Sequence, residues 1–267
     1  MRVTIQDLQK MKRTGQPIPV LTCYDYTSAK ILDSVGIPIL LVGDSLGMVV
    51  LGHDTTLPVT LDMMIHHCRA VARGADNAFL VFDMPFATYS PADLPGSLRN
   101  AARALAEGGA QSVKLEGGAR MAPVVAALVA SGIPVMGHIG MTPQSVYQMG
   151  GYRVQGRDDA AKEQLVADAA ALEAAGAFAL VLELVPADLA ARITAQLKIP
   201  TIGIGAGCDC SGQVQVFHDV FGLYEDFVPK HTKRYATVAA TIREAAKAFR
   251  NDVIQGKFPE APGARGA

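Results

Sequence analysis

Eight short apolar runs, each followed by a longer stretch with helical spacing, constrain this 267-residue chain more than any other feature. The runs are 19–25 (PVLTCYD), 38–45 (PILLVGDS), 78–84 (AFLVFDM), 112–117 (SVKLEG), 135–140 (VMGHIG), 179–185 (ALVLELV), 201–205 (TIGIG) and 214–218 (VQVFH). Alternation of this kind predicts parallel strands joined by crossover helices. Between runs two and three, Leu61, Met64, Ile65, Cys68 and Ala72 fall on one helix face. Leu94, Leu98, Ala101, Ala102 and Leu105 do so between runs three and four. Each set gives a helix one apolar side with which to cover a sheet. Gly36, Gly74, Gly108, Gly132 and Gly176 stand where these helices should stop, as left-handed caps. Eight units on a chain near the ~250 residues of a typical closed barrel favour an α/β fold of (β/α)8 type. A helix is expected before the first run and a helical extension after the last. No linker divides the chain, so residues 1–267 are expected to form one catalytic domain.

The first run ends without a G-x-G-x-x-G turn, which argues against a dinucleotide fold. A formal net charge of −1 gives no field for nucleic acid. The longest apolar region, 169–185, is interrupted by Glu173 and Glu183, far short of the roughly 18 apolar residues of a membrane span. The start of the chain shows no secretory pattern, and the four cysteines form no C-x-x-C pair. A cytoplasmic protein with reduced thiols, acting on small molecules, is expected. Residues 143–157 (PQSVYQMGGYRVQGR) read as a long polar loop suited to act as a lid, and 251–267 as a tail loose at its end.

Chemistry is written where polar residues interrupt the strands. In a parallel barrel the site forms at the C-terminal strand ends. Run two ends in Gly43-Asp44-Ser45 and run three in Asp83; run four carries Lys114 and Glu116, two apart and therefore on one face. Run five carries His138 and run six Glu183. Charges in such strands cost several kcal/mol unless they are paired or bound to a metal. Asp44, Asp83 and Glu116 together suit Mg²⁺, a hard ion that takes oxygen ligands and keeps water. Alternatively, Asp44 and Asp83 could cap the helices that follow, Lys114 could be a structural partner for Glu116, and His138 could be a hydrogen-bonded core histidine. Glu183 has the poorest structural explanation and is suited to accept a proton. The turn Gly203–Gly207 could receive a phosphate or could simply be tight.

These motifs also resemble a known family. Val42-Gly43-Asp44-Ser45-Leu46-Gly47-Met48, Leu57-Pro58-Val59-Thr60, Asp83-Met84-Pro85-Phe86, Val113-Lys114-Leu115-Glu116-Gly117-Gly118 and Gly137-His138-Ile139-Gly140-Met141-Thr142-Pro143-Gln144 are similar, in order, to motifs of the ketopantoate hydroxymethyltransferases. The resemblance runs from about residue 4 to 236 and departs from the pattern mainly at 208–211 and at His53. It implies transfer of a hydroxymethyl group from 5,10-methylenetetrahydrofolate to 3-methyl-2-oxobutanoate through a Mg²⁺-stabilised enolate. It implies Asp44, Asp83 and Glu116 around the ion and Asp44, Ser45, Asp83, Lys114 and His138 at the substrate. Glu183 would be the proton acceptor. It also implies a homodecamer, a pentamer of dimers. The rival reading is a carbon–carbon lyase or phosphonomutase of the isocitrate lyase type, which uses acids at the same strand ends.

Overall fold

A computed structural model describes residues 1–259. Among them, β1 (Ile18–Thr22), β2 (Ile39–Val42), β3 (Phe79–Asp83), β4 (Ser112–Glu116), β5 (Val135–Gly140), β6 (Ala179–Glu183), β7 (Thr201–Ile204) and β8 (Gly212–Gln215) form a closed parallel barrel in sequence order. The (β/α)8 expectation holds. The helices are α1 (Ile5–Thr14), α2 (Tyr26–Ser34), α3 (Leu46–Val49), α4 (Leu61–Gly74), α5 (Leu94–Ala106), α6 (Ala122–Ala130), α7 (Val146–Met149), α8 (Asp159–Ala174), α9 (Ala187–Gln196), α10 (Phe217–Val220) and α11 (Val238–Ile254). The chain forms two compact units. The first, Met1–Val216, holds the barrel; the second begins at Phe217 and contains α10 and α11. No helix among the described residues is long and apolar enough to cross a membrane.

Local chemistry explains where the main helices begin. Thr4 and Asp7 form a reciprocal capping box on α1, and Asp25, Thr60, Asp93 and Asp158 each accept a backbone N–H at the start of α2, α4, α5 and α8. On α4 the buried stripe is Met64, Ile65, Cys68 and Val71, close to the predicted set. On α5 it is Gly96, Ser97, Ala101 and Ala104, while Ala102 is exposed. Gly36, Gly132 and Gly176 adopt the left-handed conformation expected of a cap. Gly74 does not; there a Cβ would strike the Tyr26 carbonyl, so its role is the close approach of α4 to α2.

The last strand lies two residues earlier than the sequence suggested. β8 begins at Gly212, opposite Ile18 of β1 and Ile202 of β7, and His218 belongs to α10. A Cβ at Gly212 would collide with the Ile18 carbonyl, so only glycine lets the barrel close there. Search by β-branched residues starts at Val214 and misses it. The segment after β5 is more ordered than a loop: Pro143–Ser145 forms a 3₁₀ turn that runs into α7. α11 continues to Ile254 through the start of the predicted tail, and residues 260–267 lie outside the described set.

The barrel interior is apolar at its base. Ile18 and Val20, Ile39 and Leu41, Phe79 and Val81, Met136, Ala179 and Val181, Ile202 and Val214 pack into one cluster with Leu8 of α1. Strand side chains alternate. The same inward row therefore continues upward as Asp83 on β3, Lys114 and Glu116 on β4, His138 on β5 and Glu183 on β6. On β3, β5 and β6 the row changes from hydrocarbon to polar in one inward step of two residues, from Val81, Met136 and Val181.

Candidate active site

The five inward charged groups and Asp44 form one continuous chain across the C-terminal mouth. The Asp44 N–H donates to Asp83 Oδ2 at 3.3 Å. Lys114 Nζ donates to Asp83 Oδ1 at 2.5 Å and lies 3.9 Å from Glu116 Oε1. His138 Nδ1 stands 3.5 Å from Glu116 Oε1 and its Nε2 3.2 Å from Glu183 Oε2. Neither imidazole contact has hydrogen-bond alignment, so they are charge approaches. Asp44, Asp83, Lys114, Glu116 and His138 are buried; Glu183 is the most open, with 14% of its side chain accessible. All six residues predicted for the mouth are thus brought together. Ser45 joins them at the end of β2, its Oγ 2.8 Å from the Tyr24 hydroxyl.

One alternative sequence reading is corrected. Asp44 and Asp83 cap no helix: Ser45 occupies the N-cap of α3 without a side-chain bond, and both aspartates turn to the cluster. The pairing of Lys114 with Glu116 is present at 3.9 Å, beside a shorter contact to Asp83 at 2.5 Å. The glycine turn after β7 is tight. A Cβ at Gly203 would lie 2.9 Å from Cys210 Sγ, and one at Gly207 would meet Ala187.

Electrostatics sharpen the picture. Burial, and then the charges of Asp83 and Glu116, hold the Asp44 carboxyl well above the usual carboxylate range, against the pull of Lys114 and Gln144. Burial depresses the Lys114 ammonium, but Asp83, Glu116 and Asp44 outweigh it and its pKa rises. Burial and Lys114 likewise depress His138, while Glu116 and Glu183 raise it to about 9. Two groups that favour positive charge, Lys114 and His138, thus stand among the three buried acids Asp44, Asp83 and Glu116.

Whether a divalent ion fits follows from the donors. No three His, Cys, Asp or Glu side chains among the described residues stand as a ready cage. Mg²⁺ does not need one, since one or two carboxylates plus water and substrate oxygens satisfy it. Asp44 and Asp83 are adjacent and oxygen-only, which suits that ion. Glu116 is already divided between Gln144 on one oxygen and Lys114 and His138 on the other, which suits contact through water.

Three participants escaped the sequence reading. Tyr24 reaches Ser45, while Tyr89 and Gln144 link the acids. Tyr24 and Tyr89 lie in loops and Gln144 in the 3₁₀ turn after β5, and only position in space relates each to the site. Among the described residues, the two non-glycine residues with positive φ are Ala87 (62°), four residues past Asp83, and Leu184 (47°), directly after Glu183. Strain at such positions commonly sits beside functional groups.

The sequence profile of ketopantoate hydroxymethyltransferase matches residues 2–261. The chain belongs to this family. A 3-methyl-2-oxobutanoate hydroxymethyltransferase of Chloroflexus aurantiacus is 60% identical over 259 residues, covering 97% of this chain and 91% of the relative. The enzyme of that name from Moorella thermoacetica is 56% identical, covering 97% and 96%. Among solved structures, phosphonopyruvate hydrolase superposes with a TM-score of 0.64 at 13% identity, over 99% of this chain and 92% of that one. Oxaloacetate acetylhydrolase does so at 0.60 and 15%, over 97% and 88%. At such identities these structures show a shared barrel, and that is the extent of the kinship with the lyase and phosphonomutase rival. Membership of the hydroxymethyltransferase family decides between the two readings.

Proposed function

We propose that this chain transfers a hydroxymethyl group from 5,10-methylenetetrahydrofolate to 3-methyl-2-oxobutanoate, giving 2-dehydropantoate and tetrahydrofolate for pantothenate and coenzyme A synthesis. The observation that carries this reading is the continuous chain of contacts from Asp44 to Glu183, with its most open carboxylate at one end. The substrate is a small anionic keto acid. Lys114 places a fixed positive charge where negative charge gathers once the C3 proton leaves, and Ser45 adds a hydroxyl for the carboxylate. Glu183 takes the C3 proton. His138 lies against Glu183 Oε2 and keeps that carboxylate aimed into the mouth. The C3 carbanion forms the new bond to the methylene carbon as that carbon's bond to one folate nitrogen breaks; water then displaces the second nitrogen and supplies the hydroxyl, and the protons lost by C3 and by water end on the two nitrogens of tetrahydrofolate.

Asp44 and Asp83 would hold one Mg²⁺, with Glu116 acting through water, and such an ion would supply Lewis-acid polarisation of the keto oxygen. The proposal includes residues 1–267 working as one catalytic domain, in the cytoplasm, without nucleic-acid or membrane partners, as a homodecamer. Assembly is supported by α11, a 17-residue helix with no buried residue that leaves Ile242, Phe249, Val253 and Ile254 exposed on the single chain.

The test is exchange of the substrate C3 proton with D₂O, followed by NMR with Mg²⁺ present and folate absent. Wild-type protein is expected to exchange. Glu183→Gln, still folded, is expected to lose at least ~10²-fold in rate, the scale of a positioned base. Exchange unaltered in that variant would remove Glu183 from the role. Exchange indifferent to EDTA would remove the metal.

A further inference from the structure

Gln144 occupies the 3₁₀ turn after β5 and is buried. Its side-chain amide uses both N–H groups. Nε2 donates to Asp44 Oδ2 and to the Met84 carbonyl, each at 2.9 Å. Its Oε1 accepts the Tyr89 hydroxyl at 2.7 Å, and its backbone N–H donates to Glu116 Oε2 at 3.0 Å. One residue thus bonds to the ends of β2, β3 and β4 at once.

Tyr89 fixes which way the amide points. Its hydroxyl oxygen accepts the Glu116 N–H at 3.0 Å, leaving its own proton for Gln144 Oε1. Turning the amide over would set Oε1 against a carboxylate and a carbonyl, two acceptors with no proton between them. The result divides the work of the acids. Glu116 gives Oε2 to Gln144 and keeps Oε1 for His138 and Lys114. Asp44 gives Oδ2 to Gln144, and Oδ1 has no protein donor among the described residues.

We propose that Gln144, oriented by Tyr89, is a positioning residue of the reaction: it sets the carboxylates of Asp44 and Glu116 so that each offers one defined oxygen to the chemistry. This rests on the function proposed above. Groups that orient metal-side or catalytic carboxylates typically change affinity or rate ~10–100-fold when removed. Because Gln144 opens the 143–157 segment, the same bonds anchor the base of that segment to the acids.

The experiment compares wild type, Gln144→Leu, Tyr89→Phe and the double variant as full-length protein with Mg²⁺. It reads the C3 deuterium-exchange rate at saturating 3-methyl-2-oxobutanoate per folded molecule, the substrate concentration for half-maximal exchange, and the melting temperature. The expected result is about a tenfold loss of maximal exchange in Gln144→Leu, about threefold in Tyr89→Phe, and little change in half-saturation. The double variant should lose less than the product of the two, because Tyr89 acts partly through the same amide. Should Gln144→Leu fail to fold, Tyr89→Phe decides. A merely structural role would lower the melting temperature and leave the rate per folded molecule at the wild-type value, which would overturn the proposal. Lack of exchange in the wild type overturns the reaction and this role together; normal wild-type exchange with unaffected variants overturns this role alone.

Discussion

At the scale of single residues, Lys114 has the most to lose. Among the described residues, its ammonium is the one Lys or Arg charge touching the buried acids of the mouth, and it sits 2.5 Å from Asp83. Lys114→Met keeps the bulk and removes the charge. It should lower kcat/KM about 10²–10³-fold, the usual scale for deleting a preorganised electrostatic contact, as steady-state assay would show. A loss below about threefold would mean that Lys114 serves only to neutralise Asp83. The sequence disclosed this residue, and Glu116 beside it, because charges two apart in an apolar strand cannot both hide. It did not disclose that Lys114 would favour Asp83 over Glu116. That preference comes from the pairing of Asp83 with Lys114 across two strands, which no local pattern carries.

At the scale of elements, two junctions can be tested. Gly140 closes β5 at φ 91°, and a Cβ there would strike the carbonyl of Glu183 on the neighbouring strand. Gly140→Ala must push β6 aside at the residue carrying the proposed base. Displacements near 1 Å can cost ~10²-fold in rate, so at least a tenfold loss of exchange is expected, with the fold retained by circular dichroism. The second junction is Asp33 at the end of α2. Its carboxylate accepts the backbone N–H groups of Asp76, Asn77 and Ala78 and the Asn77 side chain, at 2.7–3.2 Å, binding the helix to the start of β3. Burial raises its pKa, but these donors outweigh it and hold it below the usual value of 3.8. A depressed folded pKa means stability present above the unfolded pKa and lost as pH falls through the folded one. Asp33→Ala should therefore cost about 3 kcal/mol at pH 7, and the gap to wild type should narrow below about pH 4, measured by urea unfolding. Strand positions were legible because β-branched runs mark buried parallel strands. β8 was displaced because its first residue is a glycine chosen for closeness to Ile18, and closeness leaves no mark in hydrophobicity. Tyr89 went unmarked, and Gln144 stood in a quoted motif without a role, for a related reason: their partners lie up to 100 residues away.

At the scale of the whole molecule, the barrel was readable from the count and order of its runs. The division into a barrel unit and a C-terminal unit was not, since no linker composition marks Val216 and Phe217. Assembly is where this scale makes its own prediction. Exposed apolar side chains along α11 are poor company for water, and burying them against other copies would favour association. Light scattering should return about ten times the 28.1 kDa chain mass. Replacing Ile242 and Phe249 by Ser should dissociate the particle if α11 lies between subunits. A monomeric wild type would end the decamer proposal without touching the chemistry.

Strand pairing in the barrel couples structure and catalysis. Asp83 lies beside Lys114, Glu116 beside His138, and Gly140 beside Glu183. Were β4 to slide by a single residue, Val113 and Leu115 would fill the interior and both charged groups would face the helices. The hydrocarbon rows beneath the mouth thus proofread the catalytic layer above it: a molecule whose base is packed wrongly cannot assemble its acids.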